Sequence, residues 1–333
     1  MEQQAIITVK DLRTYFYSDK RCNKVLNGVS FELYKGRTLC VVGESGCGKS
    51  VTASSIMQLL PKLSRIESGA ITYHSEKGDI RIDQLPRNGK EMRALRGRDI
   101  AMIFQDPMTA LNPVYTIGFQ IGEDLKYHTD LDKRSRRART LELLTQMGIS
   151  TPEKRIDQYP HEFSGGQRQR IVIARALVLD PEFVVCDEPV SALDVSVRAQ
   201  VLNLIQDLQK TKKLTYLFIS HDLSVVKFIS DRVCVMFLGM VCEIGGTHEL
   251  YAHPLHPYTH FLLNAIPKAD PRLRSDEKEL LTGEIPSPVN PPSGCRFHTR
   301  CPYAKDICSQ MVPEGKMVGE RQVFCHFPLM ERK

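Results

Sequence analysis

The sequence lacks long hydrophobic runs: no segment approaches the roughly 18 consecutive apolar residues that suggest a membrane-spanning helix. Its first residues, Met1-Glu-Gln-Gln, lack the basic start and apolar stretch of a secretory signal peptide. No internal repeat is evident, and a net charge of +6 over 333 residues does not require nucleic acid as a partner. We therefore expect a cytoplasmic globular protein, and the 42% apolar content is enough for a sizeable core.

Short apolar runs separated by helical patterns predict an α/β fold. These runs are apolar almost throughout, as expected for parallel strands covered on both faces. The five runs are 39–42, 101–104, 183–186, 216–219 and 233–237. Two runs near the N-terminus, 6–9 and 29–33, predict an accessory antiparallel sheet.

The pattern changes twice along the chain. Between about residues 115 and 180 helical patterns dominate, and we interpret this stretch as a helical insertion in a domain spanning residues 1–250. One predicted helix covers 133–147, with a predicted buried face formed by Ala138, Leu141, Leu144 and Met147. Residues 251–333 are rich in proline, which predicts a loop-rich C-terminal extension that cannot build a conventional core alone.

Residues 43–50, here called the phosphate loop, read G-E-S-G-C-G-K-S and fit the pattern G-x-x-x-x-G-K-[ST]. The glycines let the backbone curl until its N–H groups point at phosphate oxygens, and the following helix adds its positive end. Lys49 can reach the β- and γ-phosphates, and Ser50 can bind Mg²⁺. A chance glycine-rich turn is disfavoured by the strand and helix patterns on either side. The loop predicts a P-loop NTPase core with a mixed sheet.

Two carboxylates follow the apolar run that starts at Phe183. In such a site Asp187 holds Mg²⁺ directly or through water, and Glu188 acts as the general base for the attacking water. Alone, the pattern is equally typical of a strand that ends in acidic turn residues. Downstream of a phosphate loop, it favours the catalytic interpretation.

A second anion site is predicted at Ser164-Gly165-Gly166-Gln167. Ser164 is a natural N-cap, and bare glycine backbone at a helix N-terminus binds anions. One triphosphate does not need two such sites from one chain. We therefore expect this site to serve a nucleotide held by another subunit.

These motifs resemble those of ATP-binding-cassette (ABC) transporter ATPases, and the resemblance covers nearly the whole chain. It identifies Ser164–Gln167 as the family signature, with Phe163 where leucine is commoner. It implies that Gln105 senses Mg²⁺ and couples to the membrane subunit, and that His221 contacts the γ-phosphate. Ser191 and Asp194 match the loop at the dimer interface.

The resemblance also implies an adenine platform at Phe16, with Tyr15 or Tyr17 as alternatives. It assigns ATP binding to Phe16, Gly43, Ser45, Gly46, Cys47, Gly48, Lys49, Ser50, Val51, Gln105 and Asp187. The expected Mg²⁺ ligands are Ser50, Gln105 and Asp187, and the expected catalytic residues are Glu188 and His221.

The C-terminal extension resembles that of ATPases from the peptide import branch, which serves oligopeptides, dipeptides and nickel. The segments that carry this resemblance are 255–259 and 286–302. The phosphate loop and residues 104–112 resemble one of the two paired ATPases of that branch, and residues 188–196 resemble the other. The first is favoured, and the position in the pair stays open.

Four cysteines of the extension, Cys295, Cys301, Cys308 and Cys325, suggest a metal site. A cytosolic setting argues against disulfides, and their spacing fits neither the C-x₂₋₄-C pairs of zinc sites nor common ferredoxin patterns. Spacing therefore predicts a four-thiolate site without naming the metal. The family resemblance places a [4Fe–4S] cluster ahead of zinc, with unligated thiols third. Since the ATP-site residues lie elsewhere in sequence, we expect nucleotide binding by the isolated subunit to survive the replacement of any one of these cysteines.

Together, these features predict the ATPase subunit of an ABC importer for di- or oligopeptides, peripheral to the cytoplasmic side of the membrane. With one phosphate loop and one signature, the chain must pair with a second ATPase, expected to be a paralogue. Two membrane permease subunits and, indirectly, an extracytoplasmic binding protein complete the expected assembly. An importer of nickel or another small solute is the near alternative. The alternative from a different functional class is a soluble ABC ATPase of DNA repair or translation, but such proteins typically carry two cassettes or a long coiled coil.

Overall fold

The computed structural model describes residues 4–18, 21–266 and 283–329. The chain divides into two compact units. The phosphate-loop unit comprises residues 5–33, 38–83 and 219–333, and the helical unit comprises residues 1–4, 34–37 and 84–218. None of the helices in the described ranges is both long and apolar enough to cross a membrane.

Two sheets organise the phosphate-loop unit. The first has the order β2-β1-β4-β5, in which β4 pairs antiparallel with both β1 and β5. The second runs β11-β12-β10-β9-β3, with β3 parallel to β9 and the other pairs antiparallel. The strands are β1 (Ala5–Ser18), β2 (Arg21–Tyr34), β3 (Thr38–Val42), β4 (Ser64–Ser75), β5 (Gly78–Arg81), β9 (Arg232–Phe237), β10 (Met240–Gly246), β11 (Lys316–Val318) and β12 (Arg321–Val323). Its helices are α1 (Lys49–Ile56), α9 (Leu223–Ile229), α10 (Thr247–Ala252), α11 (Pro257–Asn264) and α12 (Asp306–Gln310).

The helical unit places its helices around three further strands in the order β8-β7-β6, of which β6 and β7 are parallel. These strands are β6 (Ile100–Ile103), β7 (Phe183–Asp187) and β8 (Thr215–Ile219). Buried side chains fill β7 because a strand covered on both faces has no solvent side. The helices are α2 (Lys90–Arg98), α3 (Pro107–Ala110), α4 (Ile117–His128), α5 (Lys133–Gln146), α6 (Pro152–Arg155), α7 (Gly165–Leu177) and α8 (Val195–Lys212).

The C-terminal extension adds strands to the second sheet rather than standing apart as a loop. β12 pairs with β10 through Glu243 and Ile244, and Val323 and Cys325 pack with Leu255. The carboxylate of Glu243 is fully buried and accepts hydrogen bonds from the N–H groups of Leu255 and His256 at 2.9–3.1 Å. These contacts hold part of the extension without any metal. Residues 267–282 and 330–333 of the predicted extension lie outside the described residues, and its boundary at residue 251 stays a prediction.

The fold agrees with the predicted α/β class. The predicted buried face of α5 is confirmed for Leu144 and Met147 and wrong for Ala138, while Leu141 is half-buried. In α5 the buried stripe is Thr140, Leu143, Leu144 and Met147, whereas Ala138 is exposed. Thr140 is compatible with burial because its hydroxyl donates to the carbonyl of Arg136 at 2.9 Å. A threonine whose hydroxyl is hydrogen-bonded to the preceding turn can be buried like an apolar residue. A prediction that used polarity alone therefore left Thr140 out of the buried face.

Candidate nucleotide-binding and cysteine sites

The phosphate loop connects β3 to α1. At two of its positions the backbone conformation and the surrounding atoms allow only glycine. Gly43 has φ +149°, and a Cβ there would lie 2.1 Å from the carbonyl oxygen of Met236. Gly48 has φ +104°, and a Cβ would lie 2.6 Å from Leu26 Cδ2. Both glycines are therefore required by the tight packing of the loop against β9 and β2, in addition to any close approach of a ligand.

The side chain of Lys49 folds over the loop. It is 6% exposed, and its ammonium donates to the carbonyls of Gly43 at 2.9 Å and Glu44 at 3.1 Å. Cys47 is buried, and burial raises the pKa of its thiol. In contrast, the loop exposes Ser45, Gly46 and Ser50, while Val51 is half-buried. The loop thus presents polar groups to solvent and holds its lysine against its own carbonyls.

Glu188 lies directly after β7 in an unusual backbone conformation. Its φ is +47°, in the left-handed region that side chains other than glycine rarely adopt. Its carboxylate accepts a hydrogen bond of 3.1 Å from the side-chain amide of Gln105. The structure therefore brings together the predicted general base and the predicted Mg²⁺-sensing glutamine within the helical unit. Asp187, the last residue of β7, is half-buried beside them in sequence.

Ser164 caps α7 as the sequence predicts. Its hydroxyl accepts from the N–H of Gln167, and the side chain of Gln167 accepts from the N–H of Ser164, which makes a capping box. Ser164 and Gly165 are exposed, whereas a Cβ on Gly166 would lie 2.3 Å from Val197 Cγ1. The S-x-x-Q spacing is a sequence signal for this reciprocal cap.

The turn after Glu188 is tied back to β7. Ser191 donates to the Glu188 carbonyl from both its N–H, at 3.2 Å, and its hydroxyl, at 3.0 Å. Asp194 caps α8 by accepting from the N–H of Val197 at 2.9 Å, and this bond lowers the pKa of its carboxyl. Both residues of the predicted interface loop therefore have structural roles within the chain.

The two remaining predicted ATP contacts lie in the phosphate-loop unit. His221 is exposed just before α9. Phe16 is half-buried in β1, and alternation along a strand places Tyr15 and Tyr17 on the opposite face. Lys24 lies 5.7 Å from the Tyr15 ring centroid, and the Arg65 guanidinium lies 4.9 Å from that of Tyr17. A cation therefore faces each tyrosine ring, and the adenine platform at Phe16 stays a prediction.

All four cysteines of the extension line one cavity, together with His256 and Phe297. Burial raises the pKa of Cys301 to about 11 and that of Cys325 to about 12, and the other thiols of the cavity add to both shifts. A backbone N–H two residues onward bonds three of the sulfurs: Phe297 to Cys295, Tyr303 to Cys301 and Phe327 to Cys325.

Within the described ranges, no group of three or more His, Cys, Asp or Glu side chains is arranged to hold a metal ion. A tetrahedral zinc with Zn–S bonds of about 2.3 Å would need its sulfurs about 3.8 Å apart. The cysteines therefore share a cavity without forming a preorganised single-ion site.

A contact that sequence reasoning missed joins the extension to the phosphate loop. Arg300 Nη1 donates to both carboxylate oxygens of Glu44, at 3.1 and 2.9 Å. The N–H of Glu44 donates to the hydroxyl of Tyr258 at 3.0 Å. This link between the extension and the phosphate loop was not predicted. The survival of nucleotide binding when one of the four cysteines is replaced stays a prediction. No local pattern marks a pair of residues separated by 256 positions.

The chain was compared with known proteins. Residues 26–191 match the family described as ABC transporter, and residues 242–308 match the family described as oligopeptide/dipeptide transporter, C-terminal region. The oligopeptide transport ATP-binding protein OppF of Salmonella typhimurium is 48% identical over 92% of this chain and 88% of its own length. The chain belongs to the ABC transporter family. The dipeptide transport ATP-binding protein DppD of Bacillus subtilis is 44% identical over 93% of this chain and 90% of its own length.

Solved ABC cassettes confirm the α/β fold class. CbiO1 of Clostridium perfringens, part of the ABC transporter complex cbiONQ, is 26% identical, with a TM-score of 0.60 over 75% of this chain and 92% of its own. The dimeric cassette MJ0796, in a post-hydrolysis state bound to ADP and Pi, has a TM-score of 0.63 over 72% of this chain and 98% of its own, at 24% identity. The ABC ATPase domain and the named relatives together establish the chain as an ATPase.

Proposed function

We propose that this chain is the ATP-hydrolysing subunit of an importer of di- or oligopeptides, bound peripherally to the cytoplasmic side of the membrane. The observation that carries the proposal is the similarity to oligopeptide and dipeptide transport proteins over more than nine-tenths of the chain, extension included. Residues 242–308, most of which belong to the extension, match the family described as oligopeptide/dipeptide transporter, C-terminal region, and this match favours peptide import over another function of the cassette.

In this proposal ATP stacks its adenine on Phe16 and places its phosphates on residues 43–51. Lys49 exchanges its bonds to the loop carbonyls for bonds to the β- and γ-phosphates. Ser50, Gln105 and Asp187 hold Mg²⁺, which neutralises charge on the phosphate oxygens. The contacts already made by Lys49 keep its ammonium next to the loop, so that little side-chain freedom remains to be lost when the nucleotide binds.

Glu188 accepts the proton of the attacking water, and His221 contacts the γ-phosphate. Two features support the role of Glu188: its strained backbone and the bond from Gln105. Strained residues concentrate at active sites, where the surrounding structure holds them in place. The Gln105 amide holds the carboxylate in one orientation, and a fixed orientation is what a general base needs to accept a proton from a positioned water molecule.

The exposed signature, Ser164–Gln167, binds the nucleotide held by a second ABC ATPase, which we propose to be a paralogue. Ser164 and Gly165 are exposed at the start of α7, and a helix N-terminus attracts phosphate. The dimeric state of the MJ0796 cassette is consistent with this pairing. Ser191 and Asp194 lie at the same dimer interface.

Two membrane permease subunits, one for each ATPase, dock on the helical unit in this proposal, and an extracytoplasmic binding protein delivers the substrate. From the residue before Gln105 to the first turn of α4, the chain exposes large apolar side chains. These are Phe104, Met108, Val114, Tyr115 and Phe119, with exposures of 45–68%. Such exposure is unusual on a free surface and typical of a binding site.

We also propose that the cysteine cavity holds a [4Fe–4S] cluster. A cluster binds each cysteine to a different iron, so its ligands can lie farther apart than the four sulfurs of a single zinc ion. The repeated N–H bonds to Cys295, Cys301 and Cys325 support sulfur ligands that carry negative charge, because such bonds favour the thiolate. Zinc is the alternative occupant.

The test is reconstitution with the membrane subunits and binding protein encoded beside its gene. Peptides should stimulate ATP hydrolysis and accumulate inside vesicles, and Lys49→Ala should abolish both. Stimulation by Ni²⁺ complexes but not by peptides would support the small-solute alternative. If the chain instead co-purifies with ribosomes or DNA and no membrane proteins, the importer proposal is wrong.

A further inference from the structure

Glu44, the second residue of the phosphate loop, is held at three of its groups. Its N–H donates to Tyr258, its carbonyl accepts from Lys49, and its carboxylate accepts from Arg300. The Arg300 side chain is 7% exposed and that of Glu44 is 22% exposed. Solvent therefore screens this ion pair much less than a surface pair.

The position of Arg300 is fixed by its surroundings. It ends a short helical turn, residues 298–300, and its guanidinium carbon lies 5.9 Å from the ring centroid of Phe237. Phe297 packs edge-on against Phe237, with centroids 5.4 Å apart, and also lies 5.3 Å from Tyr258. Because Phe237 ends β9, the strand paired with β3, the aromatic contacts fix Arg300 relative to the strand that leads into the loop.

The charge on Glu44 poses a problem for a loop that binds a polyanion. An uncompensated carboxylate in the loop would repel the triphosphate, and the attraction or repulsion of charges is strong where water is partly excluded. Arg300 neutralises that carboxylate and anchors it on the side of the extension. Tyr258 accepts a hydrogen bond from the backbone N–H of the same residue. Residues of the C-terminal extension therefore hold both the carboxylate and the backbone of Glu44.

We infer that Arg300 and Tyr258 are positioning residues for nucleotide binding: they hold Glu44, and through it the first half of the phosphate loop, in the conformation that accepts the triphosphate. The inference rests on the proposed role of the loop in ATP binding. It assigns to the C-terminal extension a direct part in nucleotide affinity.

The test measures MgATP affinity of the full-length chain by isothermal titration calorimetry, with thermal melting as a check on folding. Arg300→Gln should weaken MgATP binding about tenfold, the effect expected for losing a charge-assisted hydrogen bond that leaves a partly buried charge behind. Arg300→Lys, which keeps the charge, should recover part of the affinity. Tyr258→Phe should weaken binding to a smaller extent, because it removes one neutral hydrogen bond.

The double variant Glu44→Gln/Arg300→Gln separates charge compensation from simple loss of structure. It should bind MgATP more tightly than Arg300→Gln alone, because the unpaired carboxylate is gone. The matched control is Arg296→Gln, an arginine of the same segment whose guanidinium donates to the carbonyl of Pro292 at 3.2 Å. This control should bind MgATP as the unmodified chain does.

Two results would overturn the inference: unchanged affinity in Arg300→Gln, or a double variant that binds no better than Arg300→Gln. Lys49→Ala distinguishes failure of the inference from failure of the proposed function. If Lys49→Ala loses MgATP binding while Arg300→Gln keeps it, only the inference is wrong. If Lys49→Ala keeps it, the loop does not bind ATP and the proposed function fails as well.

Discussion

Replacing Glu188 by glutamine removes a proton acceptor while keeping the shape of the side chain. A general base in this position contributes about 10²–10⁴ in rate, or about 3–5 kcal/mol of barrier height. The hydrogen bond from Gln105 survives, because the amide oxygen of a glutamine can accept from the Gln105 side chain in the same place. The loss of charge in that bond costs about 1 kcal/mol at most, since the pair is exposed.

These magnitudes separate a chemical role from a structural one. If Glu188 is the base, Glu188→Gln should hydrolyse ATP about 10²- to 10⁴-fold more slowly, with MgATP affinity within about threefold of the original. The assay is single-turnover hydrolysis in the assembled transporter, combined with nucleotide binding by the isolated chain. The variant should also accumulate as an ATP-bound dimer, detectable by size-exclusion chromatography.

The matched control is Glu182→Gln, at the exposed opposite end of β7, which should hydrolyse ATP normally. Turnover of Glu188→Gln within a few-fold of the original would refute the reasoning. So would a parallel loss of hydrolysis and MgATP affinity, because that pattern indicates a damaged site rather than a missing base.

Four further predictions test other parts of the site. Lys49→Ala should weaken MgATP binding at least about tenfold by calorimetry, because a buried ammonium that faces the phosphates is lost; equal affinity would contradict the loop's role. Ser164→Arg should keep MgATP binding by its own chain but block hydrolysis in the assembled transporter, whereas Ser164→Ala, which loses only the cap, should be milder; loss of binding by the isolated Arg variant would contradict action on the partner's nucleotide. Protein purified without oxygen should be brown with about four irons per chain, and Cys308→Ser should lower that content while Cys22→Ser, outside the cavity, should not; colourless protein with bound zinc would favour the alternative metal. Iron retention should fall as the pH is lowered, because the thiols of Cys301 and Cys325 have raised pKa values and must lose protons to bind metal.

Local chemistry explains which parts of the fold were predictable. The strands β3, β6, β7, β8 and β9 match the predicted runs because a continuous apolar stretch of four or five residues has few alternatives to a buried strand. Ser164 was identified as a cap because capping depends on a hydroxyl followed by free N–H groups, and both are local features. The phosphate loop was predictable because its glycines are required by the backbone path itself.

The parts that were missed depend on residues distant in sequence. The β10–β12 pairing joins the cassette to its extension through short strands whose three or seven residues carry no distinctive pattern. The left-handed φ of Glu188 is imposed by the turn tied back through Ser191, and a glutamate does not indicate such a conformation in advance. The four cysteines were correctly grouped, but spacing alone gave neither their shared cavity nor the N–H bonds to three sulfurs.

The position of Arg300 between the cysteine cavity and Glu44 changes what the extension is expected to do. Arg300 directly precedes Cys301, whose side chain lines the cavity, so a disturbance of the cavity reaches the Arg300–Glu44 pair within one residue. The packing of Phe297 and the β10–β12 pairing limit such a disturbance, because they hold the extension independently of the cysteines. Loss of a cysteine ligand should therefore weaken MgATP binding by no more than the loss of Arg300 itself. An extension that pairs with the sheet through β12 and contacts the phosphate loop through the buried Arg300 is placed to influence nucleotide affinity.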